Sequence, residues 1–387
     1  MSNSPHVYSG YGVFTKELLK RIHDDGWTVA CVGFSGISGG IIEDYDGYRI
    51  YPQMAEPYGT DALVNHGRDF KAHVHFTMQD TPTLNANLLQ HVKTWIPYMP
   101  VHYSPPSPFV LDKIKHAYKI ITFSEYGKQG LASKGFSSTM IKEGINTSTF
   151  RPLDKEMIRK RLGIKDGTFL FGMVGANKEI PARKGFQEAL DAYKLFIDNH
   201  PNERVGLYIH TLSPPIGKFP IMDYAKQIGV HDRVIVPDNY SALYKSPPDV
   251  IAQMMNAFDV LLQPSRTEGF GLPIVEAQSC GVPAIATDFS AMPELIVDGK
   301  TGLKVKVNRL ELANQWGYHA VPNTQDLHKQ MEKMYTMLKK DKKGKIAKAC
   351  RNHVLKNFDI DQIFEDEWVP YLESLQEELL GPLVDKK

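Results

Sequence analysis

The chain has few cysteines, no long apolar run and almost no net charge. Cys31, Cys280 and Cys350 are the three cysteines in 387 residues, far apart and odd in number. That pattern offers neither a disulfide framework nor a metal-ligand spacing, and it favours free thiols in a reducing, cytoplasmic setting. No stretch approaches the roughly 18–20 apolar residues of a membrane span. The opening Met1-Ser-Asn-Ser-Pro5 has neither a basic nor an apolar region, so no secretory signal is read there. A net charge of +1 leaves no electrostatic footprint for a nucleic acid. There is no internal repeat, no heptad run and no low-complexity tract. The densest charge run, Lys339 to Lys345, reads as a solvated connection between helices. A weak contact with an anionic membrane surface is its other reading.

What is present describes a soluble two-domain α/β protein. Hydrophobic content is 42% and charged content 23%. The length exceeds what one core usually organises, so two domains are expected. Short apolar strands alternate with amphipathic helices, which implies parallel sheets. Val13 to Asp25 reads as a helix and Thr28 to Gly33 as a strand. Ala72–Phe76 and Lys119–Phe123 read as further strands, and Ser124 as the N-cap of a helix through Leu131. Only eight residues precede Ser9 and Met1 to Pro5 is polar, so the first strand is expected to be very short or missing. A central place in the first sheet would then be weakened or filled otherwise. A polar segment, Gly144 to Pro152, marks the change of domain. A fresh series follows, with strands at 169–174, 205–210, 233–236, 259–263, 283–286 and 302–307. The boundaries read are 1–148, 149–358 and a C-terminal helix within 359–387.

The most informative stretch is Ser265-Arg-Thr-Glu-Gly-Phe-Gly-Leu-Pro-Ile-Val-Glu276, followed by Ala277-Gln-Ser-Cys-Gly-Val-Pro283. It reads as a glycine-bearing loop and a helix that starts at Pro273 and ends near Gly281, proline early and glycine late. The amides of Gly269, Phe270, Gly271 and Leu272 would face an anion at the helix N-terminus. Glu268 and Glu276 bracket that place. A carboxylate repels phosphate, so both are expected to accept hydrogen bonds from hydroxyls. A phosphate flanked by hydroxyls describes a sugar nucleotide. The bland alternative is a tight strand-to-helix turn with two surface glutamates.

Here the sequence resembles the retaining glycosyltransferases of GT-B fold, the group 1 or family 4-like enzymes with an E-x7-E signature. The resemblance rests on Glu268 and Glu276, on Gly-Phe-Gly-Leu-Pro between them and on Ala-x-x-x-Gly-x-Pro after them. It runs from Ser9-Gly-Tyr-Gly12 to the C-terminal helix. It implies two Rossmann-like, doubly wound domains facing across a cleft, with the last helix crossing back to the first domain. It implies transfer of a hexose from a nucleotide-diphosphate sugar, UDP- or GDP-linked, to a saccharide, lipid or protein hydroxyl. It implies no metal or other cofactor. In the family the first glutamate contacts the donor sugar and the second holds the ribose. The first domain would bind the acceptor.

Other constellations fit that frame. Gly175 to Gly185 joins a buried strand to a helix and carries Asn177, Lys178, Arg183 and Lys184. A departing diphosphate gains charge in the transition state and calls for cations. Arg183 offers a planar fork and Lys184 a point charge. The resemblance places an arginine where Ala176 stands, so Arg183 or Lys178 is left to supply it. Gly10, Tyr11 and Gly12 open a helix, and Thr15 replaces the third glycine of a dinucleotide fingerprint. The resemblance lays that loop over the donor, with Tyr11 toward the acceptor; a plain helix start is the other reading. His102 and Tyr103 follow a short apolar segment, and Asp80 follows another. His102 at a strand end could bind a donor hydroxyl or relay a proton. Asn239 and Tyr240 lie where the resemblance puts the base; an Asx turn is the alternative. Asp359-Ile-Asp361 reads as a helix cap rather than a metal pair. Two rivals remain: a sugar-nucleotide epimerase or hydrolase of the same fold, and a nucleotide-sugar-binding protein without turnover.

Overall fold

A computed structural model describes residues 1–313 and 317–381. The chain divides into two units. The first holds Met1–Val101, Pro105–Asn146 and the segment from Asn357 onward; the second holds His102–Ser104 and Thr147–Lys356. Residues 382–387, the end of the expected C-terminal segment, lie outside the described residues.

The first unit opens with α1 (Gly10–Asp24), which starts before Val13 because Ser9 caps it. Ser9 Oγ accepts from the Gly12 amide, which satisfies one orphan donor of the first turn. A Cβ on Gly12 would stand 2.2 Å from the Val7 carbonyl oxygen, so only glycine lets the helix sit on that loop. The strands fall into two sheets instead of one. β1 (Ala30–Val32), β2 (Ile42–Tyr45) and β3 (Tyr48–Tyr51) pair in the order β1-β3-β2. Beyond α2 (Thr60–Asp69), β4 (His75–Met78), β5 (Trp95–Met99), β6 (Ile121–Thr122) and β7 (Thr139–Met140) pair in sequence order, all parallel. Met1 and Ser2 stand between the two sheets. The Ser2 amide donates to Val32 O and Ser2 O accepts from Phe34, while the Met78 amide donates to Met1 O. Met1 and Ser2 thus bridge the two sheets, a pair too short and polar for the apolar pattern to flag. In the C-terminal segment, Trp368 packs edge-on against Phe76 and Tyr98. Asp359 accepts from the amides of Asp361 and Gln362, the capping role read from its position.

The second unit is a six-stranded parallel sheet of order β10-β9-β8-β11-β12-β13. Its strands are β8 (Phe169–Val174), β9 (Val205–His210), β10 (Val234–Ile235), β11 (Val260–Gln263), β12 (Ala284–Thr287) and β13 (Gly302–Val305). The central ones are apolar on both faces because helices cover both. Helix α3 (Phe186–Asn199) follows β8, α4 (Asn239–Tyr244) follows β10, and α5 (Leu272–Ser279) follows β11. Phe171, Phe186, Tyr193, Phe196, Leu207 and Leu262 are fully buried in the core between sheet and helices. An antiparallel hairpin, β14 (Val307–Leu312) with β15 (Tyr318–Pro322), leaves the far edge.

Candidate functional site

β8 and β11 are neighbours, yet β9 and β10 extend to one side of them and β12 and β13 to the other. The loops leaving two such strands diverge, and a crevice opens at their carboxyl ends. Those loops are 175–185 and 264–271, the two that the sequence singled out. They are tied together by backbone. The Arg266 amide donates to Arg183 O at 2.7 Å. Gly185 has φ +70, and a Cβ there would lie 2.0 Å from Pro264 O. Only glycine fits that left-handed, crowded position.

The junction brings Glu268, Lys184 and Arg183 together. Lys184 Nζ donates to Glu268 Oε1 at 2.6 Å, and Arg183 Nη1 to Glu268 Oε2 at 3.1 Å. The same Arg183 nitrogen donates to Thr267 O at 2.7 Å, and Arg183 Nε to Glu179 at 3.2 Å. Gln263 Nε2 donates to both Glu268 Oε1 and Ser265 Oγ at 2.9 Å. The Glu268 amide donates to Ser290 Oγ at 2.9 Å. Ser290 itself sits at φ +55. Burial alone would raise the Glu268 carboxyl; Lys184 and Arg183 outweigh it and hold the group far below the ordinary carboxylate range. Burial draws the Lys184 ammonium down, and Glu268 pushes it back up. At 2.6 Å, in contact with an ionised carboxylate, the lysine is an ion-pair partner. Lys184 and Arg183 are matched by Glu268 inside the cluster and by Glu179, which is 52% exposed, at its rim. The backbone of Gly269–Leu272 runs from Glu268 into the start of α5, with Gly271 as the cap residue. A helix start favours an anion there.

Glu276 lies one turn into α5, partly buried. Burial raises its carboxyl to about 7. No cation offsets that burial, in contrast to Glu268, so the two glutamates of one signature have opposite electrostatics.

The remaining expected residues divide. His102 and Tyr103 belong to the second unit, where Thr267 Oγ1 donates to His102 O. That bond joins His102 to the residue beside Glu268. Asn177 is buried and its amide is committed to structure: Nδ2 donates to Leu212 O and Phe219 O, and Oδ1 accepts from the Phe219 amide. Asn239 likewise brackets Ser213, accepting from its amide and donating to its carbonyl. Both asparagines clip the 211–219 loop rather than present free amides. Asp238 caps α4 through Ser241, the Asx arrangement weighed from sequence. Tyr240 is 62% exposed, with its ring 5.3 Å from that of Tyr244 and Lys245 Nζ 5.3 Å from its centroid. In the first unit, Gly10 and Gly12 form the start of α1, and Tyr11 OH donates to Asp80 Oδ1 at 3.0 Å. Among the described residues, no group of three or more His, Cys, Asp or Glu is placed to hold a metal ion.

Sequence reasoning missed Gln263, Ser290 and Arg266 as members of the site. Arg266 is buried, bonded to Glu188 and Glu311 at 2.7 Å each, and fixes the loop from below. Its position beside Glu268 was the one available signal.

Residues 154–316 match the family model described as glycosyl transferases group 1. Over that stretch the chain is similar to the glycosyl transferases group 1 family. A D-inositol 3-phosphate glycosyltransferase of Acidothermus cellulolyticus is 29% identical over 171 residues. The match covers 43% of this chain and 36% of that protein. The corresponding enzyme of Corynebacterium jeikeium is 31% identical over 172 residues, 43% of this chain and 39% of that one. The alignments thus span well under half the length of these curated relatives. Solved structures extend the likeness. Sucrose-phosphate synthase of Thermosynechococcus elongatus aligns at TM-score 0.76 with 16% identity, over 95% of this chain and 94% of that one. Anabaena HepE, solved in complex with UDP and glucose, aligns at TM-score 0.67 with 16% identity, over 96% and 98%. The fold is GT-B, as the group 1 signature implied.

Proposed function

We propose that this group 1 protein is a retaining glycosyltransferase that moves a hexosyl group from a nucleoside diphosphate sugar to an acceptor hydroxyl. The observation that carries the reading is the triad of buried Glu268 with partly buried Lys184 and Arg183 beside the start of α5. In this reading the leaving diphosphate takes over Lys184 and Arg183, with the Gly269–Leu272 amides neutralising further charge, and no bound metal is needed. That frees Glu268, the partner of both cations until a donor binds, to accept hydrogen bonds from the sugar. The cations then serve the charge that grows in the transition state, where stabilisation accelerates transfer. Glu276 accepts from the ribose. His102 stands near Glu268 as a hydroxyl or proton partner. Anabaena HepE, solved with UDP and glucose, supports a UDP-linked donor. The inositol phosphate relatives support a small polyol or saccharide acceptor.

A thermal-shift series tests the donor half. UDP, GDP, ADP and their sugars are added to the protein with and without EDTA, and to Glu276→Ala. A ligand at 100 times its Kd should add roughly 2.7 kcal/mol of stability. Stabilisation by one nucleotide, unchanged by EDTA and lost in the variant, is expected. If no nucleotide shifts the wild-type protein, the donor site is wrong as described. The anomeric configuration of any product, read by NMR, decides retention.

A further inference from the structure

The carboxyl ends of β1, β3 and β4 release three loops, 33–41, 52–59 and 79–85. Contacts among them gather the three at one place in the first unit. The Phe34 and Tyr58 rings lie 6.2 Å apart, and a Cβ on Gly59 would stand 2.8 Å from Cβ of Phe34. Gln79 Nε2 donates to Tyr58 O at 3.4 Å, and Asn85 Nδ2 to Glu56 Oε1 at 2.5 Å. Tyr11, in the first turn of α1, adds its bond to Asp80. Loops at the carboxyl ends of parallel strands are where α/β units hold ligands.

The charge of this face has one sign. Residues 3–12 and the three loops contain no lysine or arginine, and their acids are Glu56 and Asp80. Lys113, on the helix Pro108–Ile114, approaches from the side: its Nζ donates to Leu84 O and lies within electrostatic reach of Asp112 and Glu56. Its charge is thus matched by the chain's own carboxylates. The start of α2 would otherwise draw a phosphate. Asp61 fills that role, with Oδ2 accepting from the Ala55 and Glu56 amides at 2.8 and 3.1 Å and Oδ1 from Ala62 at 2.8 Å.

What the face offers instead is oxygen acceptors. Glu56 and Asp80 are carboxylates, and Gln79 is 3% exposed with an Oε1 that has no hydrogen-bond partner among the described residues. A buried oxygen left unpaired calls for a donor. Carboxylate and amide oxygens accept from hydroxyls and repel phosphate oxygens. Beside them Tyr58 is 47% exposed and backed by Phe34. The C–H face of a sugar ring, made electropositive by its oxygens, suits the negative face of such an aromatic.

We propose that this face binds the acceptor, and that the acceptor is an uncharged saccharide or polyol. Its hydroxyls meet Gln79, Glu56 and Asp80, and a ring face meets Tyr58. The inference rests on the transfer reading above, and it parts from the relatives named for D-inositol 3-phosphate. A phosphorylated acceptor would bring negative charge to two carboxylates, with no lysine or arginine in the three loops to receive it.

Calorimetric titration and saturation-transfer NMR on the full chain, with UDP present and absent, test this. Glucose and myo-inositol are compared with their phosphate monoesters. Each neutral compound should bind at least about tenfold more tightly than its ester. Added salt should narrow that gap by screening the repulsion. Asp80→Asn should narrow it at low salt, a change that a merely structural role would not produce. Tyr58→Ala, at an exposed position, should weaken the neutral compounds about fivefold and leave the melting temperature unchanged. Equal or tighter binding of the esters overturns the proposal, and so does failure of both neutral compounds to bind. Neutral compounds that bind while UDP does not would uphold this face and sink the transfer reading.

Discussion

Replacing Glu268 by glutamine separates the stability of the unliganded site from its appetite for anions. Side-chain exposures of 8% for Glu268 and 13% for Lys184 make this a buried pair. Removing one partner of such a pair costs roughly 3–5 kcal/mol, because the other charge is left desolvated. Arg183 keeps Thr267 O and Glu179, and it is 24% exposed, which places the loss at the lower end. About 3 kcal/mol in a unit of this size lowers the melting temperature by roughly 6–12 °C. The same change removes a negative charge from the anion's surroundings. Glu268 Oε1 is 2.6 Å from Lys184 Nζ. A phosphate oxygen on that lysine would stand within about 5 Å of the carboxylate, given a charge-assisted bond of about 2.8 Å. One like charge removed at that distance is worth on the order of 3 kcal/mol at an effective dielectric of 20, and about 1 after solvent screening. Glu268→Gln should therefore melt lower without ligand, yet bind UDP at least about fivefold more tightly by calorimetric titration. Any extra affinity of UDP-sugar over UDP should shrink, since the sugar hydroxyls meet a neutral amide in place of a charged carboxylate. A variant that melts within a degree of wild type, or binds UDP more weakly, refutes the reasoning.

Glu276→Gln should show the opposite pH behaviour. A carboxyl raised from 4.5 to about 7 contributes stability that is present below about pH 4.5 and lost as pH rises through 7. Wild type should thus lose on the order of 3 kcal/mol over that window relative to the glutamine variant, checked by chemical denaturation at pH 4.5, 6 and 8. UDP affinity should rise with pH toward 7 in wild type, where hydroxyl donors favour the carboxylate, and stay flat in the variant. Gly185→Ala, with φ +70 and a Cβ 2.0 Å from Pro264 O, should lower the denaturation midpoint by the equivalent of about 3 kcal/mol. Tyr240→Ala should leave stability within about 0.5 kcal/mol, because the ring is largely exposed. If the ring stacks on the base, nucleotide binding in that variant should weaken by about 1–3 kcal/mol in the same titration.

Much of the second unit was legible in the sequence because its strands are apolar on both faces and its turns carry glycine and proline. β8 and β9 have the bounds read from pattern alone. The E-x7-E loop was legible because two carboxylates, two glycines and a helix start are unusual together. The asparagines were not. Asn177 and Asn239 sit in the expected loops, but an amide that pins a distant backbone looks in sequence like one that meets a ligand. Met1–Ser2 was hidden for another reason: a serine inside a sheet breaks the apolar run, and only its bond from Thr15 explains it. The division of the first unit into two sheets is tertiary: β1 and β4 are linked through Met1 and Ser2, which lie far from both in sequence.

Arg266 has one more consequence. Its amide holds Arg183, its carbonyl accepts from Ala320, and its guanidinium grips Glu188 and Glu311. One residue thus fastens a loop after β8, the loop after β11, helix α3 and the terminal hairpin at a single point. A ligand arriving at Glu268 meets parts already in place and has little chain left to order. Association there should carry a small entropic penalty and a rate set by diffusion and charge, not by the rearrangement of a loop.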